Sequence, residues 1–320
     1  MKEPVVRLGL IGLGVMGRNH LRVLSMLKGV TLAFLADCNQ ELAERLGQQH
    51  GIPGVSDIRP YLKEVDAIVI CTPTVNHAET FMLAVEHGVR HLFVEKPLAA
   101  TLSDAEFLTK TAKELNLNVQ VGFIERFNPA VQRLKQVLDA SGRVINVDFE
   151  RTNKLSSRIV DVDVVTDLMI HDIDLALHLN GPARSVVAHG YSGDQMIDFA
   201  SALITHENGR FSRIQSSRIT EKKKRSIEAT CVDMFVDCDL LRRELLIHRQ
   251  SQILQEQGKP YTVSAIQEAI EVQQQEALLT QLQAFIASCH GEYCQEFPGV
   301  QAGLDAMKIC DQIQQSVAAS

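Results

Sequence analysis

The sequence predicts an α/β protein in two parts. Residues 1–122 read as a doubly wound parallel sheet, and residues 123–320 as an α+β domain built on a largely antiparallel open sheet. Three observations carry this reading. Up to residue 122, short, mostly apolar runs alternate with amphipathic helical stretches, as strands buried on both faces require. After it, long strand-like stretches follow one another, with few helices between them. At 320 residues, the chain also exceeds what one ordinary core accommodates.

The elements follow in order. Residues 5–11 form a continuous apolar strand, then a helix over 16–27, a strand over 31–36 and a helix over 40–50. Residues 67–71 give the next buried strand, and the helix over 75–87 stops at Gly88, a natural left-handed cap. A strand over 91–94 precedes a helix ending at Leu115, with Ser103 and Glu106 as a capping box, and residues 118–121 close the series. Such alternation needs right-handed crossovers that cover both faces of a parallel sheet. The second part opens with a helix over 128–140. Strands are expected over 143–152, 185–190, 200–205, 211–219, 226–236 and 240–248, with an amphipathic helix over 164–179 after the first of them. Asn208-Gly209 marks a tight hairpin. The glutamine-rich tail reads as two surface-packed helices, over 265–290 and 300–317, and no internal repeat is visible.

Composition excludes several classes. Hydrophobic residues at 45% and charged residues at 22% are those of a globular protein. The net charge of −7, with 39 acidic and 32 basic residues spread along the chain, argues against nucleic acid as a partner. The one basic run, residues 222–225, reads as a solvated hairpin tip or as a site for substrate phosphate. No secretory signal or membrane-length apolar run is seen, and the seven scattered cysteines form no CxxC pair. A cytoplasmic protein with reduced thiols is expected. Cys289-His290 with Cys294 falls short of a zinc pattern.

Gly12-Leu13-Gly14-Val15-Met16-Gly17 follows a strand and opens a helix, the setting in which GxGxxG binds a dinucleotide. Gly12 permits the turn, Gly14 lets the backbone approach a pyrophosphate, and Gly17 lets the helix pack on the sheet. The amides near Val15 and Met16 then face the phosphates at the positive helix end. Asp37 ends the second strand 20 residues after Gly17, where a carboxylate accepts from an adenosine ribose. No Arg or Lys follows it at once to hold a 2′-phosphate, so NAD is favoured over NADP. Asp37 also suits a helix N-cap, as does Asn39. Thr72, Pro73 and His77 lie beyond the next strand and are placed to line the cofactor cleft; His77 suits a surface helix position equally well.

Glu95-Lys96-Pro97 ends another buried strand, with a proline that constrains the peptide and favours a cis bond. Lys96 can hydrogen-bond a substrate hydroxyl and stabilise alkoxide charge, or simply pair with Glu95. On the second part's helix, Asp167 and His171 are one helical turn apart, so the carboxylate can hold the imidazole of a general base. Two other readings stay open: acids complementing the helix dipole, and a metal held by Asp167, His171, Asp174 and His178, for which the spacing is not a recognised zinc pattern.

From Gly12-x-Gly14-x-x-Gly17 through Thr72-Pro73, Glu95-Lys96-Pro97 and Asp167-x-x-x-His171, the chain resembles the Gfo/Idh/MocA oxidoreductase family across both parts. The resemblance implies a Rossmann domain that holds NAD, with Glu95 and Lys96 at the cofactor. It also implies Lys96 and His171 as the proton-handling pair, assisted by Asp167, and no metal. Glu125-Arg126-Phe127-Asn128-Pro129 and Ser157-Arg158-Ile159-Val160-Asp161-Val162 are similar to its nucleotide-sugar 3-dehydrogenase branch. That branch oxidises the 3-hydroxyl of UDP-N-acetylglucosamine or its uronic acid, usually ahead of a transaminase in lipopolysaccharide or lipid A biosynthesis. Arg126, Asn128 and Arg158 then join Lys96 and His171 around the substrate. Asn128-Pro129 also reads as an N-cap with proline at the first helical position, and both arginines suit surface ion pairs. A dehydrogenase of a free polyol or sugar, and a non-catalytic NAD-binding sensor, are the alternatives. The open face of the second sheet suggests a homodimer or homotetramer.

Overall fold

The computed structural model describes residues 5–141, 143–154, 162–193, 196–254, 262–292, 294 and 296–319. The chain divides into two compact units: Met1–Phe127 with Glu276–Lys308, and Asn128–Gln275 with Ile309–Ser320. A single boundary at residue 122 would leave the segment Glu276–Lys308 in the second part; its contacts put it in the first.

The first unit opens with β1 (Val6–Ile11), α1 (Val15–Leu24), β2 (Val30–Ala36), α2 (Gln40–His50), β3 (Gly54–Val55) and β4 (Ala67–Ile70). It continues with α3 (His77–Glu86), β5 (His91–Val94), α4 (Leu102–Glu114) and β6 (Asn118–Val121). The strands pair in parallel in the order β3-β2-β1-β4-β5-β6. This is the doubly wound order whose direction reverses between β1 and β4, the point where ligands bind such sheets. Leu8, Leu10, Val69 and Phe93 are fully buried, as strands covered on both faces demand. The two-residue β3 escaped the sequence reading. The capping box also moves: Thr101, not Ser103, caps α4, its Oγ1 accepting from Asp104 N at 3.1 Å and donating to the Asp104 carboxylate at 2.7 Å. The spacing of three is the same, but Thr101 carries the extended backbone an N-cap needs.

The second unit holds α5 (Pro129–Ser141), β7 (Val144–Thr152) and α6 (Ile170–Asn180), then β8 (Ala183–Ser192), β9 (Ile197–His206), β10 (Phe211–Ser217) and β11 (Lys224–Cys231). β12 (Met234–Asp239), β13 (Glu244–Leu254) and β14 (Thr262–Ile270) complete an eight-stranded sheet in the order β14-β13-β12-β11-β7-β10-β9-β8. Only β7 and β10 pair in parallel. The inner face, with Phe149, Ile204, Ile214, Ile227 and Val236, is buried. The chain ends with α7 (Ala277–Cys289) and α8 (Val300–Ala318).

Several expectations are corrected here. The strands expected over 226–236 and 240–248 are three, because the chain bends at Val232-Asp233 and again after Asp239, whose carboxylate accepts from the amides of Leu241 and Arg242. The helix expected from residue 265 is strand β14 as far as Ile270. Ile266 and Ile270 are four apart, a spacing that fits one helix face and one strand face alike. α7 is no surface helix: Leu282 and Phe285 are fully buried with Leu10, Leu24 and Phe93 of the first unit. Residues 222–225 are not a hairpin tip. They lead across β7, which separates β10 from β11, and Lys224 sits in β11 with its ammonium 2.6 Å from Glu150. The open face is charged at its centre, through Asp148–Arg213 at 2.9 Å and Glu150–Lys224; exposed Leu203, Phe211 and Phe235 flank it.

Candidate functional site

The chemistry-bearing residues of the first unit stand at the carboxyl ends of β1, β2, β4 and β5. Gly12 turns the chain at φ +89°, and a Cβ there would lie 2.5 Å from the Cys71 carbonyl. A Cβ on Gly17 would overlap the Gly12 carbonyl oxygen, so this glycine sets the packing of α1 on the loop. Gly14 differs from both: nothing lies within 4 Å of where its Cβ would be, which leaves the backbone open to a ligand. The start of α1 has no side-chain cap and no acid in its first turn, whereas Asn39 caps α2 and Thr101 caps α4. Val15 and Met16 are exposed there. Uncapped amides at the positive end of a helix form an anion site, as a dinucleotide pyrophosphate requires.

Asp37 is held from two sides. Its Oδ2 accepts from Leu13 N at 2.8 Å and its Oδ1 from Asn39 N at 2.9 Å. The capping role belongs to Asn39, whose side chain accepts from Leu42 N. Asp37 lines a cavity of about 430 Å³ with Gly12, Cys38, Asp57, Arg59, Thr72, Pro73 and Asn76. The glycine turn, the open space at Gly14, the uncapped helix and this carboxylate fit a dinucleotide with an unphosphorylated adenosine ribose. Arg59 and Asp57, paired at 3.4 Å, are cavity residues that the sequence reading missed, because β3 was not visible in the sequence.

His77 is 1% exposed and does not line that cavity. Its Nδ1 lies 2.9 Å from the Pro97 carbonyl oxygen and its Nε2 3.0 Å from that of Thr72. It thus ties the end of β4 to the Lys96–Pro97 turn, whose peptide bond is cis. Burial pushes its pKa below the ordinary histidine value, and in the neutral form the ring donates to only one of these two carbonyls. Lys96 is half-buried. Both carboxylate oxygens of Glu95 are used inside the protein, Oε1 by His20 at 2.7 Å and Oε2 by the Lys96 amide at 3.2 Å.

Among the described residues one trio gathers ligand-type atoms, His20, Cys71 and Glu95, all within 4.8 Å. The 2.7 Å separation of His20 Nε2 and Glu95 Oε1 is a hydrogen bond. It is shorter than the edge of about 3.3 Å implied by tetrahedral zinc with bonds of about 2.0–2.1 Å. Burial, then the charge of Glu95, pushes the Cys71 thiol well up, which keeps it protonated. The trio is a hydrogen-bonded pair beside a thiol.

In the second unit, residues Val165–Met169 form a single π-helical turn that runs into α6. Asp167 therefore lies in the π-turn and His171 in the first turn of α6, both half-buried. π-turns inside helices are frequent at functional sites. Next to His171, Asp172 takes a bidentate bond from Arg151 of β7, 2.8 Å from Nε and 2.7 Å from the terminal nitrogen, with both side chains 3% exposed. This clamp fixes the start of α6 on the sheet and commits Asp172 to structure. Arg126 is buried in a 3₁₀ turn, Ile124–Phe127, of the first unit. Asn128 Oδ1 accepts from Ala130 N at 3.1 Å at the start of α5, the capping alternative raised by Asn128-Pro129. Arg158, with most of its motif, lies outside the described residues.

Residues 6–123 match the oxidoreductase family with an NAD-binding Rossmann fold, and residues 132–233 match the GFO/IDH/MocA C-terminal domain. The UDP-N-acetylglucosamine 3-dehydrogenase of Acidithiobacillus ferrooxidans is 30% identical over 95% of this chain and 96% of its own. Its solved structure superposes with a TM-score of 0.87, at 28% identity, covering 98% of each chain. The scyllo-inositol 2-dehydrogenase (NAD(+)) of Bacillus subtilis is 30% identical over 68% of each chain.

Proposed function

The chain belongs to the GFO/IDH/MocA oxidoreductase family, and from that premise we propose that it oxidises the 3-hydroxyl of a UDP-N-acetylglucosamine-type nucleotide sugar to a 3-keto sugar with NAD. One observation carries the choice of substrate. Over nearly the whole chain, identity is 30% to the A. ferrooxidans enzyme and 25% to an inositol 2-dehydrogenase of Rhizobium meliloti, and the higher identity favours the nucleotide sugar. The nucleotide-sugar motif around Arg126 and Asn128 supports it.

Bound through residues 12–17 and Asp37, NAD supplies the hydride acceptor. The residues of the chain supply alignment and proton handling. His171, supported by Asp167, takes the proton of the hydroxyl, and Lys96 stabilises the charge that develops on its oxygen. Arg126, Asn128 and Arg158 hold the sugar nucleotide, the arginines at its diphosphate or carboxylate. The product is a ketone that a transaminase-class enzyme can aminate, and we read the step as one of lipopolysaccharide or lipid A assembly. The charged, apolar-flanked open face of the second sheet serves as the contact of a homodimer or homotetramer, checked by the mass in solution.

Among the described residues, no helix is long and apolar enough to cross a membrane, and all seven cysteines are free. Both fit a cytoplasmic enzyme. The test of substrate is NADH formation with NAD plus UDP-N-acetylglucosamine, inositols or free hexoses. Turnover is expected with the UDP-sugar. Preferred turnover of scyllo-inositol transfers the reading to the polyol class, and no reduction with any of them transfers it to a sensor.

A further inference from the structure

α1 and the Lys96 turn are joined by a pair of side chains that the reaction as described does not use. His20 lies on the buried stripe of α1 with Gly17, Leu21 and Leu24. It is wholly buried, edge-on to Phe93 of β5 with ring centroids 5.1 Å apart. Its Nδ1 is enclosed and has no hydrogen-bond partner among the described residues. A proton there would be a buried donor with nothing to receive it, at a cost of about 1–3 kcal/mol. The ring proton therefore sits on Nε2, and His20 donates to Glu95 Oε1 at 2.7 Å.

The other carboxylate oxygen, Oε2, accepts from the backbone N–H of Lys96. The space for it is made by Gly122, just past β6, where a Cβ would lie 2.6 Å from Oε2. A histidine thus fixes a carboxylate, a glycine makes room for it, and the carboxylate fixes the amide of the residue assigned to the chemistry. A histidine that merely filled the core would need neither a carboxylate aimed at Lys96 nor a glycine clearing space for that carboxylate.

We propose that His20 is a positioning residue for Lys96, acting through Glu95: the chain His20 Nε2–H, Glu95 carboxylate, Lys96 N–H fixes the peptide from which the lysine stem departs. It also links the helix of the glycine loop to the Lys96 turn, within the first unit. The proposal rests on the reading of Lys96 as the residue that steadies the substrate oxygen.

The test uses the NAD-loaded protein and two readouts. Hydrogen exchange at the Lys96 amide should quicken at least about tenfold in His20→Ala, with the amides of β1 and β4 unchanged. Turnover with UDP-N-acetylglucosamine should fall about tenfold or more in kcat, with KM for NAD within about threefold. His20→Gln, which restores an N–H donor, should recover most of both losses. An unchanged Lys96 amide in His20→Ala overturns the proposal. So does a His20→Gln protein as impaired as His20→Ala, with β1 and β4 exchanging faster in step, since a core filler behaves that way. Lys96→Ala, run alongside, separates the two readings. Turnover kept in that variant defeats the assignment of Lys96, while the exchange data still judge the pair.

Discussion

The first unit places its functional groups at the carboxyl ends of parallel strands, whereas the second places His171 and Asp167 at the head of a helix laid on an antiparallel sheet. Each arrangement carries its own kind of support. In the first, backbone geometry does most of the work: a glycine at positive φ, an uncapped helix and a carboxylate that accepts from two amides. In the second, side chains do it, above all the buried Arg151–Asp172 clamp beside His171. A parallel sheet therefore gives a dinucleotide site almost through topology, while the open antiparallel sheet uses a dedicated ion pair to hold the helix that carries His171. The first kind of support should fail by loss of ligand affinity and the second by loss of stability.

Arg151→Ala breaks that comparison most sharply if it is wrong. The substitution takes the bidentate guanidinium away from a buried carboxylate, so chemical denaturation should show a loss of about 3–5 kcal/mol. A loss under about 1 kcal/mol would mean that the clamp holds nothing. Asp37→Ala should act mainly on affinity, weakening NAD by roughly ten- to a hundredfold in a binding titration and narrowing the preference over NADP. Unchanged affinity would remove Asp37 from the cofactor site. Thr101→Ala, which uncaps a helix away from the glycine loop, should cost about 1 kcal/mol of stability and leave NAD affinity alone.

The smallest effect per residue is a slope with pH. Burial is the largest cause lowering the pKa of His77 and of His206, one in each unit. Their folded forms stay neutral where the unfolded chain already takes up protons. The unfolded state thus binds more protons below the ordinary value of about 6.5, and stability should be full above that pH and fall as pH drops through it. Denaturation midpoints at pH 7.5 and pH 5.5 check the sign, and His206→Gln should flatten the slope.

How much was legible in the sequence follows the same divide. The glycine turn, Asp37 and the cis Lys96–Pro97 peptide are local patterns, readable because each is set by neighbours in the chain. His20–Glu95 and Arg151–Asp172 join residues 75 and 21 positions apart, and no local pattern announces them. His20 did leave a signal, a polar residue on the apolar stripe of α1, but its partner is known only once β5 lies beside that helix. The π-turn before α6 and strand β14 were illegible for another reason: an apolar spacing of four suits several backbones, and tertiary pairing chooses among them.

The central proposal is that NAD binds through the glycine loop and Asp37 of the first unit, and that Lys96 and His171 handle the charge and proton of the alcohol. Its most direct test compares wild-type, Lys96→Ala and His171→Ala proteins in two assays, the NAD dissociation constant and NADH formation from UDP-N-acetylglucosamine. The account expects dissociation constants within about threefold of wild type and turnover lower by roughly 10²–10⁴-fold in both variants. Turnover preserved in either variant, or lost only in proportion to NAD binding, would contradict it.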